Sequence, residues 1–323
     1  MRRTSLLASA LCLAACDTSP RLETLAAPNT GDLGETAGES SGGEEDIDSD
    51  LDVEPLDVPA AMDFACQKID FLFVIDDSGS MGDEQARLID GFPGFISGVQ
   101  EAIEQYDYQM MVVTTGYNYG ASDPDDCSTA IGAGRIEADD GEACGVGEAE
   151  AGQRFTTAQD EGLTDVFECV ADVGTTGFGD ERPIWSMAQA ITAQSGPNGC
   201  NAGFLRDDAI LVVTIITDEE DDADENSPGD PALWKEVVVA AKHGDERSVV
   251  MLGLLGDTDL PDGDCLPFDQ EGNGAEGAPR LREFVDSFEY GSWTSVCADD
   301  YTPFFSEAVG DIGAACTDFT PVP

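Results

Sequence analysis

Long apolar runs alternate along this chain with stretches in which apolar residues recur every three to four positions. Four segments consist mostly of apolar residues: residues 69–75, 109–115, 209–216 and 248–255. Runs without polar alternation favour strands that are buried on both faces of a parallel sheet. The sequence therefore predicts four strands of one such sheet.

The stretches between these runs have the periodicity of amphipathic helices. The first stripe is interrupted by Gly91 and Pro93, which predicts either a kinked helix or two helices with Pro93 near the start of the second. Strands that alternate with helices predict an α/β domain with a doubly wound, mostly parallel central sheet flanked by helices. The stripes are Leu88, Phe92, Phe95, Ile96, Val99 and Ile103; Ile184, Met187, Ala188 and Ile191; Leu233, Val237, Val238 and Ala241; and Phe304, Phe305, Ala308 and Ile312.

The chain begins with the features of an export signal. Arg2 and Arg3 precede a short apolar run that ends at Cys16, and this run is shorter than the ~20 apolar residues that span a bilayer. Its last four residues, LAAC, resemble the lipobox of bacterial lipoproteins. The resemblance implies that Cys16 is lipidated and that the protein is anchored to a bacterial membrane, facing the periplasm or the cell surface. The alternative is an ordinary cleaved signal with an incidental cysteine.

Composition separates a tether from a folded part. Residues 17–60 are rich in Asp, Glu, Gly, Ser, Thr and Pro, which predicts a disordered acidic tether, and residues 61–323 are predicted to form the domain. The whole chain has 67 acidic and 14 basic residues, a formal net charge of −53. Because phosphate contacts need clustered Lys and Arg, nucleic acid is excluded as a partner. We expect the membrane to be contacted only through the N-terminal lipid.

Eight cysteines remain after Cys12 leaves with the leader and Cys16 takes lipid. An even number in an exported chain favours disulfides, and the absence of C-x-x-C pairs argues against zinc or thioredoxin-like chemistry. Spacing does not choose among the possible pairings. Pairing of near neighbours predicts four bonds: Cys127–Cys144, Cys169–Cys200, Cys265–Cys297 and, between the ends of the domain, Cys66–Cys316.

Three polar motifs follow the predicted strands. The first strand ends in DDSGS, from Asp76 to Ser80, and the strand at 209–216 is followed by Thr217 and Asp218; a loop with Thr175 and Thr176 lies between them. Ligands of such folds bind at the carboxyl ends of strands. In type, order and position these motifs resemble the D-x-S-x-S site of von Willebrand factor type A (vWA) domains.

The resemblance implies a metal-ion-dependent adhesion site. Its ligands here would be Asp76, Ser78, Ser80, Thr175 and Asp218, with Thr176 as the alternative to Thr175. Hydroxyls and carboxylates suit Mg²⁺ best, with Mn²⁺ or Ca²⁺ as alternatives. In this family a carboxylate of a partner protein completes the metal shell, which implies a protein ligand that offers an Asp or Glu. The predicted function is metal-dependent protein binding or adhesion.

Two acidic loops and an insertion extend this pattern. Residues 219–225 and 257–264 are rich in Asp and Glu, and each could be a solvated loop or an auxiliary Ca²⁺ site. Residues 116–156 are long for a loop and contain Cys127 and Cys144. We expect this segment to be a disulfide-linked insertion near the edge of the site that contributes to partner choice.

Two other functions compete with adhesion. The protein could be a structural lipoprotein whose metal only stabilises the fold. A phosphatase-like enzyme is less well supported, because Ser78 stands where haloacid-dehalogenase phosphatases need a second Asp, and because basic residues are scarce. The single histidine, His243, is expected at an exposed helix end, and there is no nucleophile elbow or P-loop. The sequence therefore predicts a protein that is not an enzyme.

Overall fold

The computed structural model describes residues 66–103, 107–116, 127–147, 152–160, 162–177, 179, 181–221, 227–269 and 274–321. The leader with Cys16, the tether and parts of the insertion and of the first acidic loop lie outside the described residues. The elements, in chain order, are β1 (Lys68–Ile75), α1 (Gly82–Ile103), β2 (Asp107–Thr114), β3 (Thr156–Thr157), α2 (Leu163–Ala171), α3 (Pro183–Ile191), β4 (Ile210–Thr217), α4 (Pro231–Ala241), β5 (Val249–Leu255), α5 (Pro279–Asp286), β6 (Tyr290–Ser295) and α6 (Thr302–Asp318).

The six strands form one sheet in the order β3-β2-β1-β4-β5-β6. All neighbouring pairs are parallel except β2 and β3, which pair antiparallel at the edge. The chain runs from the central strand β1 to β2 in one direction and later from β4 to β6 in the other. This arrangement confirms the predicted doubly wound α/β fold and places a change of winding direction between β1 and β4.

Helices cover both faces of the sheet because successive strand side chains point to opposite sides. On one face, Phe73 packs edge-on against Phe92 of α1 and Phe167 of α2, with ring centroids 5.9 and 4.8 Å apart. On the other face, Leu72 and Val74 belong to a second buried cluster with α3, α4 and α5. Each central strand packs against helices on both faces, which explains why the strand segments consist mostly of apolar residues.

The helix predictions were correct in position but not in every detail. The segment with Pro93 is a single helix, α1, so the alternative of two helices is wrong. In α4 the predicted Val238 is buried, but Leu233 is 48% exposed and Trp234, which the predicted stripe omitted, is buried. The sequence analysis did not predict β3, α2, α5 or β6. The segment of β6, YGSWTS, gives no apolar run because most of its side chains are only half-buried.

Two of the four disulfides were predicted correctly. Cys66–Cys316 and Cys265–Cys297 are present. The other two predictions were wrong, because the structure pairs Cys127 with Cys200 and Cys144 with Cys169. Proximity along the chain failed here because the insertion lies on the body of the domain, where its cysteines meet α2 and the loop after α3.

The described part of the insertion continues the sheet edge. The backbone N–H of Arg135 donates to the carbonyl of Val112 in β2 at 2.8 Å. The side chain of Asn201 donates to Gly132 O at 2.7 Å and accepts from Gly134 N at 2.9 Å. With its two disulfides, the insertion is therefore bound to the domain by both covalent and hydrogen bonds. Within the described residues, no helix has the length and apolar character needed to cross a bilayer.

Candidate metal centre

The predicted ligands meet at the change of winding direction. Asp76 directly follows β1 and Asp218 directly follows β4, and these two strands are parallel neighbours. The backbone N–H of Asp76 donates to Ile216 O at 3.0 Å, which fixes the end of β1 against β4. The carboxyl edge of a doubly wound sheet opens into a crevice at such a point, where ligands bind. The fold thus brings together residues that are 142 positions apart.

Asp76 is fully buried and is held by two hydrogen bonds. One carboxylate oxygen accepts from the backbone N–H of Ser78 at 2.7 Å, and the other accepts from the hydroxyl of Thr217 at 2.6 Å. Burial raises the pKa of Asp76 above its ordinary value, and these hydrogen bonds oppose the shift. Thr217 was named in the sequence only as the residue before Asp218. The structure assigns it a role in orienting Asp76.

The two serines of the motif face each other. Their hydroxyl oxygens are 3.2 Å apart, and Ser78 is buried whereas Ser80 is partly exposed. Alternation along an extended segment directs every second side chain to the same side, which explains the shared direction. A hard cation beside them would meet two hydroxyl oxygens together with the carboxylates from β1 and β4.

Asp218 is the most unusual member of the group. Its side chain has no exposed area, and within the described part of the chain neither carboxylate oxygen accepts a hydrogen bond of ordinary length and angle. Burial, and next the charge of Asp76, raise the pKa of Asp218 to about 7, although Ser80 opposes the shift. A buried carboxylate without partners is costly unless a cation compensates its charge.

The loop with Thr175 lies beside the serine loop. A side chain at Gly82 would meet the methyl group of Thr175 at 3.7 Å. Gln85 of α1 joins the two loops, because its amide donates to Asp76 O at 3.0 Å and to Gly174 O at 2.8 Å. The alternative ligand, Thr176, instead lines a cavity with Asp77. Sequence reasoning missed Gln85, although its place in the first turns of α1 was visible.

Two glycines make room for Asp77. A Cβ atom at Gly116 or at Gly177 would lie 2.6 or 2.3 Å from a carboxylate oxygen of Asp77, closer than any real contact. The N–H of Gly177 also donates to Asp77 O at 2.7 Å. Glycine at these positions therefore lets the loops after β1, β2 and the Thr175 segment approach one another.

In the described part of the acidic loop after Asp218, residues 219–221, two carboxylates accept hydrogen bonds from the domain. Asp221 accepts from the backbone N–H groups of Ile184 and Ser227 at 3.0 and 2.7 Å and from the hydroxyl of Ser227 at 2.7 Å. Glu220 accepts from the N–H groups of Arg280 and Leu281 at 2.7 and 3.3 Å. These carboxylates cap the N-termini of α3 and α5. Residues 222–226 lie outside the described residues.

The second acidic loop is also used internally. Asp257 accepts from the backbone N–H groups of Asp264 and Cys265 at 2.9 and 2.8 Å, which closes the loop on itself. Asp259 forms two hydrogen bonds with Arg282 at 2.7 and 2.5 Å. Among the described residues, no three His, Cys, Asp or Glu side chains are placed so that all of them could ligate one ion. The candidate centre has only two predicted carboxylate ligands and depends on its hydroxyls.

Two clefts flank the candidate centre. One, of about 430 Å³, is lined by Asp77, Thr176 and residues 127–139 of the insertion. The other, of about 470 Å³, is lined by Ser80, Glu84 and the loop that contains Leu266. Leu266 is 76% exposed. The candidate centre therefore opens onto a surface with both polar and apolar contacts to offer.

Comparison with known proteins leaves the family open. No protein-family model and no curated protein matches the chain. Proximal thread matrix protein 1 from the mussel byssus has 11% identity over 78% of this chain and a TM-score of 0.34, and this chain spans only 48% of its length. The manganese-loaded TRAP protein of Plasmodium vivax has 13% identity over 78% of this chain and 74% of its own, with a TM-score of 0.35. The functional argument therefore depends on the geometry of the site.

Proposed function

We propose that this chain is a vWA-like binding module that captures a protein ligand through a divalent cation. The observation that carries the proposal is the fully buried carboxylate of Asp218. Its two oxygens accept no hydrogen bond of ordinary length and angle from the described residues, and it lies near Asp76 and the paired hydroxyls of Ser78 and Ser80. A compensating cation removes the cost of burying this charge.

The residues present fit such an ion. Asp76, Ser78, Ser80 and Asp218, with Thr175 from the neighbouring loop, offer only hard oxygen donors, which suit Mg²⁺ best and also Mn²⁺ or Ca²⁺. The hydroxyls of Ser78, Ser80 and Thr175 are neutral donors, so no more than the two carboxylates among these residues would offset the charge of a divalent ion. The bound ion would therefore still attract a carboxylate of the partner. Gln85 and Thr217 hold Asp76 in place, because the Gln85 amide donates to its backbone carbonyl and the Thr217 hydroxyl donates to its carboxylate.

The partner is a protein that presents an Asp or Glu in neutral or basic surroundings. This chain has a formal net charge of −53, and charges beyond ~10 Å are screened at physiological salt, so it is the immediate neighbours of the partner's carboxylate that matter. The two clefts, one lined by Ser80 and the other by Asp77 and Thr176, offer contacts for those neighbours. The proposed role is recognition without catalysis, displayed on a bacterial lipoprotein whose lipid on Cys16 and tether hold the domain at the periplasmic or outer face of the membrane.

The first experiment is a calorimetric titration of Mg²⁺, Mn²⁺ and Ca²⁺ into the purified chain and into Ser78→Ala and Asp218→Ala. We expect one saturable binding event that both variants lose, since each removes a donor. Asp221→Asn is the matched control, because it changes an equally buried carboxylate that caps a helix. Weak, multiple binding that is unchanged in the variants would overturn the proposal.

A second experiment separates recognition from a structural role. The chain is immobilised and tested for retention of proteins with and without Mg²⁺, and the retained proteins are tested again on Asp218→Ala. A partner that binds only with Mg²⁺ and only to the wild-type chain supports recognition. A cation that raises the melting temperature without any such partner supports the structural alternative.

A further inference from the structure

A third buried carboxyl lies on the opposite side of Asp76 from Asp218. Glu181 is fully buried on the segment that connects the Thr175 loop to α3. One of its carboxyl oxygens accepts a hydrogen bond from the Thr115 hydroxyl, and the other has no partner within the described residues. An unpartnered oxygen of a buried acid calls for an explanation, because such groups are normally hydrogen-bonded.

Backbone contacts place Glu181 beside the candidate centre. The N–H of Thr115 donates to Ile75 O at 3.2 Å, so Thr115 flanks Asp76 at the end of β1. The N–H of Arg182 donates to Thr115 O at 3.2 Å, which fixes the segment of Glu181 at the same edge. Asp76 is therefore enclosed by Thr217 and Asp218 from β4 on one side and by Thr115 and Glu181 on the other.

We propose that Glu181 is a further residue of the cation site, which does not ligate the ion directly but contributes to cation affinity through its negative charge from the β2 side. The inference rests on the proposed function, because it requires a cation at the centre. While no cation is bound, a negative charge on Glu181 is repelled by the carboxylate of Asp76. A bound cation would attract the same negative charge.

The charge of Glu181 is thus unfavourable in the cation-free protein and favourable in the cation-bound one. A residue with a purely structural role behaves differently, because its removal lowers stability whether or not a cation is bound. Replacing Glu181 by a neutral residue should therefore not destabilise the cation-free protein but should destabilise the cation-bound one. This difference makes the inference testable without a known partner.

The test measures Mn²⁺ affinity by electron paramagnetic resonance and the melting temperature in EDTA for the full chain and for Glu181→Gln. We expect the Mn²⁺ affinity to fall by about 10- to 100-fold, as for residues that support metal ligands. We expect the melting temperature in EDTA to stay equal or to rise, because Gln can still accept the hydrogen bond from Thr115 but brings no negative charge beside Asp76. Glu181→Asp keeps the charge and should recover part of the affinity.

Asp221→Asn is the control, with the opposite expected pattern: a lower melting temperature in EDTA and unchanged Mn²⁺ affinity. If Glu181→Gln binds Mn²⁺ like the wild type while Asp218→Ala does not, the inference fails and the proposed function stands. If Glu181→Gln lowers the melting temperature in EDTA and leaves affinity unchanged, Glu181 is structural and the inference also fails. If the wild type has no saturable site, both fail.

Discussion

Asp218 and Asp221 are three positions apart, equally acidic and equally buried, yet their surroundings are opposite. Asp221 accepts hydrogen bonds from Ile184 and from both the backbone and the side chain of Ser227. Asp218 accepts none of ordinary geometry within the described part of the chain. A carboxylate with several N–H donors is already compensated, whereas one with none requires another source of positive charge. The number of acidic residues in a loop is therefore a poor indicator of cation binding. Whether their carboxylate oxygens already accept hydrogen bonds is a better one.

The largest expected effect comes from Asp221→Ala. The substitution leaves the N–H groups of Ile184 and Ser227 buried without acceptors, and we expect the free energy of unfolding to fall by about 3 kcal/mol. Urea denaturation in EDTA and in Mg²⁺ measures it. A loss of cation affinity at unchanged stability would break the comparison, because Asp221 would then belong to the cation site.

The pH dependence of the cation-free protein gives the next effect. The pKa of Asp218 is raised from its ordinary 3.8 to about 7, so between these values the folded state holds a proton that the unfolded chain has released. The free energy of unfolding therefore falls as pH rises from about 4 to 7, by about 2 kcal/mol after solvent relaxation is allowed for.

Asp70 has a pKa raised to about 6 by burial against the opposing charge of Arg206 and contributes in the same direction. Asp218→Asn identifies the part due to Asp218, because it should flatten the curve without abolishing it. Denaturation in EDTA from pH 4 to 8 measures the slope, and saturating Mg²⁺ should reduce it as well. An equal slope in wild type and Asp218→Asn would contradict the account of Asp218.

Neutralising Asp218 should raise the stability of the cation-free protein, whereas removing the carboxylate of Asp221 should lower it. In EDTA at pH 7.5 we expect Asp218→Asn to gain about 1–2 kcal/mol of stability, because an uncompensated buried charge is removed. In Mg²⁺ the wild type should recover this difference, since only it binds the ion. Melting temperatures with and without Mg²⁺ check both statements. A destabilised Asp218→Asn in EDTA would mean that its carboxylate has partners after all.

The smallest effect concerns the connection between the site loops. Gln85→Ala removes the hydrogen bonds to Asp76 O and Gly174 O, and we expect a loss of about 1 kcal/mol in stability together with a several-fold weaker Mg²⁺ affinity. Thr175 would be less well positioned relative to Ser80. Calorimetric titration measures the affinity, and Ser306→Ala, whose hydroxyl bonds only within α6, serves as the surface control. An unchanged affinity would remove Thr175 and its loop from the cation site.

Local patterns determined a large part of this protein. The mostly apolar runs predicted four strands that agree with β1, β2, β4 and β5 to within two residues. A strand that is buried on both faces needs apolar side chains at nearly every position, and this pattern is visible in the local sequence alone. The motif from Asp76 to Ser80 and the position of Asp218 were also visible, since each directly follows such a run. Parallel strands bring their carboxyl ends to one edge, so the meeting of these residues followed from the fold class.

Only the tertiary structure decided which acidic residues are compensated and which cysteines pair. Glu220 and Asp221 cap helices that begin 59 and 38 positions away, at Pro279 and Pro183, and no local pattern reports such a contact. Cys144 meets Cys169 because the insertion packs on α2. Glu181 lies near Asp76 only because Thr115, to which it is hydrogen-bonded, is placed at the end of the neighbouring strand. Hydrogen bonding and burial are properties of neighbours in space, and in this domain those neighbours are far apart along the chain.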